Sequence, residues 1–202
     1  MIRRADIEEF YSHLPFSPTG AQRRAVREAA ADMSSGGVMN RLLQGDVGSG
    51  KTLVAAALIW QTWKSGWMSA FMAPTEILAE QHYVNLSNLL APLGLRVMKL
   101  TGAMSAKDKR AVKAALAMGE VDVIVGTHAL FSADVEYSHL ALVVTDEQHR
   151  FGVGQRSALV AKGIIPDVLV MSATPIPRTV SLIFYGDLDI TEIKDKPKNR
   201  LP

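Results

Sequence analysis

The stretch Gly45-Asp46-Val47-Gly48-Ser49-Gly50-Lys51-Thr52 sets three glycines, a lysine and a threonine between two apolar runs. It fits the spacing G-x-x-x-x-G-K-[ST]. Glycines in such a loop let consecutive backbone N–H groups turn toward phosphate oxygens, and a following helix adds the partial positive charge of its N-terminus. Lys51 is expected to reach the β- and γ-phosphates of a nucleotide, and Thr52 to offer its hydroxyl to Mg2+. The loop alone would only bind. Hydrolysis also needs a carboxylate for the metal and a group that positions water, both at the end of a buried strand. Asp146 and Glu147 close the apolar run ALVVTDE and can supply them, Asp146 for magnesium through water and Glu147 for the attacking water. An Asp-Glu pair is common on protein surfaces. Downstream of a phosphate loop and at a strand end it acquires a chemical meaning.

The elements that would carry these residues are visible as an alternation. From Val38 onward, short β-rich apolar runs trade places with longer stretches of helical period. VMNRLLQ leads into the loop, and Thr52 to Trp63 reads as a helix. MSAFMAP (68–74) precedes ILAEQHYVNLSNLL, and LRVMKLTG (95–102) precedes SAKDKRAVKAALAMG. VDVIVGT (121–127), ALVVTDE (141–147) and DVLVMSAT (167–174) follow. Strands apolar along nearly their whole length are buried on both faces, so the expected fold is α/β, a mainly parallel central sheet with helices on both faces. Residues 1–35 read as a helical segment, 36–194 as the α/β lobe, and 195–202, rich in proline and cations, as a linker.

Composition narrows the class further. With 202 residues, 48% of them hydrophobic, the chain can build one substantial core. No cysteine is present, and the five histidines show no metal-ligand spacing, which argues against disulfides and a structural zinc. The longest apolar stretch, Leu53 to Trp60, is too short for a bilayer, and MIRRADIEEF lacks the apolar region of a signal peptide, so a soluble cytoplasmic protein without a membrane partner is expected. A formal charge of +2 is compatible with nucleic acid but does not argue for it alone.

GDVGSGKT, APTEILAEQH (73–82), VGTHALF (125–131), DEQHRFGVGQR (146–156) and MSATPIPRT (171–179) follow one another as in superfamily two helicases. The chain closely resembles the RecG-type branched-DNA helicases, and specifically the first of their two RecA-like motor lobes. The motor of the transcription-repair coupling translocases is the nearest alternative within the enzymes, and Gln148 and Ser49 lean away from it. A non-enzymatic nucleotide- or DNA-binding module is the alternative of a different class. The resemblance implies a P-loop lobe that uses ATP and Mg2+, with branched or forked duplex DNA as partner. It further implies a second RecA-like lobe and a wedge domain in the full-length protein, so that the chain reads as one lobe with little activity by itself.

The resemblance also implies roles for weaker signals. FSPTGAQ corresponds to an adenine-recognising motif, with Gln22 reading the base and Phe16 packing on its face. Pro18 departs from the family pattern, and Thr19-Gly20-Ala21-Gln22 is equally a capping box. Gln148 and His149 would sense the γ-phosphate, and Ser172 and Thr174 would link the phosphate site to DNA. Thr75, Thr101, Gly102, Thr127 and His128 stand at strand-to-helix turns, where hydroxyls and backbone amides can hold DNA phosphates without reading bases. Helix caps and turns are their plainer explanation. The cations of SAKDKRAVKAAL read as a solvated face.

Overall fold

The computed structural model describes residues 5–146, 153–173, 179 and 188–194. Two helices come first. In α1 (Ile7–Ser12) the Asp6 side chain caps the start by accepting from the Glu8 N–H. A capping box opens α2 (Gly20–Met33): Thr19 Oγ1 accepts from the Gln22 N–H at 3.2 Å, and Gln22 Oε1 accepts from the Thr19 N–H at 2.8 Å. The inner stripe of α2, Ala21, Ala25, Val26, Ala29 and Ala30, is small and packs on α3 (Lys51–Lys64), itself alanine-rich at Ala55 to Ala57. Phe10 of α1 is fully buried, its ring 5.8 Å from that of Trp60 in α3. The helical N-terminal segment therefore shares the core of the lobe. Every residue of α3 from Leu53 to Thr62 is buried.

Among the described residues seven strands form one sheet: β1 (Asn40–Gly45), β2 (Met68–Met72), β3 (Val97–Leu100), β4 (Val123–Gly126), β5 (Leu140–Thr145), β6 (Asp167–Ser172) and β7 (Asp189–Ile193). Their order is β3-β4-β2-β5-β6-β1-β7, and every pairing is parallel. The first six are the apolar runs of the sequence. The seventh was not expected, because DITEI lies at the sheet edge and buries only Thr191 and Ile193 well.

The pleat sends alternate side chains into two cores. Leu43, Phe71, Val125, Val144 and Met171 pack with α1, α2, α3 and α4 (Glu76–Leu90). Leu42, Met72, Ile124, Val143 and Val170 face α5 (Ala106–Ala117) and α6 (Val153–Ala161) on the other side. Helices thus cover both faces, as the strand composition required. No helix of the described residues is long and apolar enough to cross a membrane.

Candidate functional site

Each βα turn leaves the same edge of a parallel sheet, so residues that follow strands gather along the strands' C-terminal ends. Gly45 ends β1 and Lys51 begins α3, with the expected loop between them. Gly48 and Gly50 have φ of +84° and +89°, the left-handed region that an L side chain enters only with strain. Gly45 is required for space as well: a Cβ there would lie 2.4 Å from Ser49 Oγ and 3.3 Å from Ile193 Cβ. Lys51 Nζ donates to Gly45 O at 2.6 Å and to Asp46 O at 3.2 Å, so the ammonium sits over the loop's own carbonyls. The Ser49 hydroxyl is buried without a partner among the described residues. Val47 projects into solvent, and Thr52 is half-buried in the first turn of α3.

Gln22 joins this loop. It is 3% exposed, and its Nε2 lies 3.4 Å from the carbonyls of both Ser49 and Gly50 while its Oε1 closes the capping box. A Cβ on Gly50 would fall 1.8 Å from that nitrogen. Phe16, by contrast, is 43% exposed.

Only β6 separates β1 from β5, whose end carries Asp146. The Asp146 N–H donates to Met72 O at 2.9 Å, which continues the ladder to β2 and holds the residue at the sheet's edge. Its carboxylate accepts from His82 Nε2 at 2.6 Å, both side chains being largely buried (16% and 13% exposed). The sequence assigns His82 no role beyond its place at the end of APTEILAEQH. It lies in the middle of α4, 64 residues from Asp146, and only the fold brings the two together. Ser172, at the end of β6, stands between Asp146 and the loop.

The candidate phosphate-contacting residues occupy the other half of the edge, over β3, β4 and β2. Thr75 caps α4, its hydroxyl accepting from the Leu78 N–H at 3.2 Å. Thr101 is buried in the turn after β3, and Gly102 next to it is exposed, with room for a Cβ only 3.0 Å from Glu76 Oε1. Thr127 follows β4, and the exposed His128 has its Nδ1 3.5 Å from Gln155 Nε2. Glu147, Gln148, His149 and Thr174, together with the 195–202 segment, lie outside the described residues.

These residues suit nucleotide and magnesium. Positive-φ glycines and the buried, unpartnered Ser49 hydroxyl mark a cradle, and Lys51 brings the cation. Among the described residues no three His, Asp or Glu side chains form a metal-holding group. Mg2+ needs only one or two protein ligands besides waters and phosphate oxygens. A cavity of about 370 Å³ adjoins the loop between Gln44, Gly45, Ala173 and Glu192. A larger one, about 620 Å³, lies at the opposite ends of the strands, near Val38, Leu140 and Asp167, away from all of this chemistry.

Comparison with known proteins agrees with the geometry. The family model described as DEAD/DEAH box helicase matches residues 19–183. The ATP-dependent DNA helicase RecG of Thermotoga maritima is 52% identical over 193 residues, which are 96% of this chain and 25% of that protein. The RecG of Escherichia coli K12 is also 52% identical, over 94% of this chain and 28% of its own length. The chain thus spans about a quarter of the length of the curated relatives it matches. A structure of RecG bound to a three-way DNA junction superposes with a TM-score of 0.85 at 47% identity, covering 96% of this chain and 26% of that one. The fold is that of the RecA-like lobe of these helicases.

Proposed function

We propose, because this chain belongs to the DEAD/DEAH box helicase family, that it is the ATP-binding motor lobe of a RecG-type double-stranded DNA translocase that remodels branched DNA. The observation that carries this reading is the division of one sheet edge: the phosphate loop and Asp146 stand on either side of β6, and the candidate DNA turns follow the adjoining β2, β4 and β3. Of the two helicase readings open in the sequence, the names of the relatives favour the RecG type.

In this reading the amides of 46–52 and the Lys51 ammonium bind the β- and γ-phosphates, Lys51 leaving the carbonyls of Gly45 and Asp46 to do so. Thr52 and Asp146 hold Mg2+, which when bound neutralises charge on those phosphates. Glu147 orients the attacking water, Gln148 and His149 respond to the γ-phosphate, and Gln22 with Phe16 holds the adenine. Ser172 and Thr174 join the phosphate site to the DNA surface of Thr75, Thr101, Gly102, Thr127 and His128, which grips phosphates and ignores base identity. A second motor lobe of the full-length protein would supply the arginines that stabilise the transferred phosphoryl group, and a wedge domain the fork contact.

Turnover by the chain itself tests this division of labour. An arginine finger is worth roughly 10³ to 10⁵ in rate, so the 202-residue chain should bind Mg-ATP yet hydrolyse it at a rate that forked duplex does not raise. Robust stimulation by forked DNA in a steady-state ATPase assay would show a self-sufficient lobe and refute the two-lobe account.

A further inference from the structure

His82 has a geometry that an ordinary helix-face histidine does not need. Its Nε2 is 2.6 Å from Asp146 Oδ2, and its ring lies against that of Phe71, with centroids 4.5 Å apart and planes tilted by 41°. Its other nitrogen, Nδ1, is buried without a partner among the described residues. An unpartnered acceptor is tolerated inside proteins better than an unpartnered donor. The proton therefore sits on Nε2, and the imidazole donates to the carboxylate. Phe71 fixes the ring plane, the ring fixes the direction of the N–H, and the N–H fixes the Asp146 rotamer. A carboxylate has about four lone-pair sites, so accepting from His82 is compatible with its accepting from other donors as well.

The helix that delivers His82 is itself anchored. Thr75 caps α4, and the next residue, Glu76, accepts from the Ala103 N–H at 2.8 Å. From Glu76 to His82 is roughly 9 Å along the helix axis. Asp146 is thus referred to a rigid element outside its own strand.

We propose that His82 is a positioning residue for the metal carboxylate: through its Nε2–H it holds Asp146 in the orientation that receives hydrated Mg2+ beside the nucleotide phosphates. The assignment rests on the reading of Asp146 as the metal-side carboxylate. Partners that orient a metal's ligands commonly contribute 10- to 100-fold to its affinity, and a carboxylate acting through water belongs at the lower end.

The test measures how much Mg2+ strengthens ATP binding by the 202-residue chain, as the ratio of Kd in EDTA to Kd in Mg2+. Asp146→Asn should abolish that gain. His82→Phe keeps a ring against Phe71 but removes the donor, and should cut the gain about ten-fold while leaving affinity in EDTA unchanged. His82→Gln, whose amide reaches the place of Nε2, should stay near the parent. His82→Asn, too short to reach, should match the phenylalanine variant; should the latter not fold, the Gln and Asn pair carries the test. An intact gain in His82→Phe alongside its loss in Asp146→Asn overturns the inference alone. So does an equal loss in EDTA, which marks a packing role, or a glutamine variant as weak as the asparagine one. A gain that survives Asp146→Asn, or is absent in the parent, overturns the reading of Asp146 and the inference with it.

Discussion

Gly50→Ala should be among the more damaging single changes to the loop, and its cost can be assembled from the contacts. The residue has φ of +89°, where an alanine carries roughly 1–2 kcal/mol of backbone strain. Its new Cβ would stand 1.8 Å from Gln22 Nε2, so the glutamine must leave. Gln22 then gives up the 2.8 Å bond that closes the α2 capping box, worth about 1 kcal/mol. It also loses its contacts to the Ser49 and Gly50 carbonyls, at about 0.5–1.5 kcal/mol net. The sum is a loss of about 2.5–4.5 kcal/mol in urea unfolding, with the slope on denaturant unchanged. Because much of it passes through Gln22, the same change in a Gln22→Ala background should cost only the strain, about 1–2 kcal/mol. Strict additivity of the two substitutions, or a single-mutant cost under about 0.5 kcal/mol, would refute the idea that Gln22 and the loop are packed as one unit.

Lys51→Ala should weaken Mg-ATP binding by roughly 10- to 150-fold, the value of 1.5–3 kcal/mol for charge-assisted bonds, in a fluorescence titration; equal affinity would remove Lys51 from the phosphate site. Asp167 is shifted upward, unlike a carboxylate stabilised by a cation: burial, opposed by the bond from the Met39 N–H and reinforced by Asp32, pushes it from 3.8 to about 6. The folded chain then keeps a proton that the unfolded chain releases between about pH 4 and 6, so stability falls as pH rises through that window. Asp167→Asn should erase that slope and gain about 1 kcal/mol above pH 7, after discounting for the site's partial exposure; unchanged pH dependence of the unfolding midpoint would refute it. Duplex DNA binding should be weak, steeply salt-dependent and indifferent to sequence. A sequence preference that persisted at high salt in a labelled-duplex titration would contradict the phosphate-contact reading.

Short-range chemistry is legible in the residues themselves. GDVGSGKT carries its own turn geometry, since the positive-φ sites at Gly48 and Gly50 are glycine, and the two-faced burial of the strands shows in their unbroken apolar runs. The capping box of Thr19 and Gln22 is likewise a local pattern, and it is present. Long-range pairings were not readable. His82 looked like any helix-face histidine, because its meaning depends on which strand end comes to lie beside α4. β7 escaped for a related reason: an edge strand needs few apolar residues, and Asp189, Thr191 and Glu192 break the pattern by which the inner strands declare themselves. The contact of Gln22 with the loop carbonyls spans 27 residues and had no local trace.

α3 has no solvent face between Leu53 and Thr62. A helix walled in this way can neither roll nor slide without repacking the layers above and below it, and close-packed interiors resist small adjustments of that kind. The phosphate cradle at its N-terminus is therefore a fixed datum within the lobe. α5, which buries only Val112 and Leu116, has no such restraint. Any displacement on adding nucleotide is expected in peripheral elements of that sort, and α3 is the frame against which distance labels should be read.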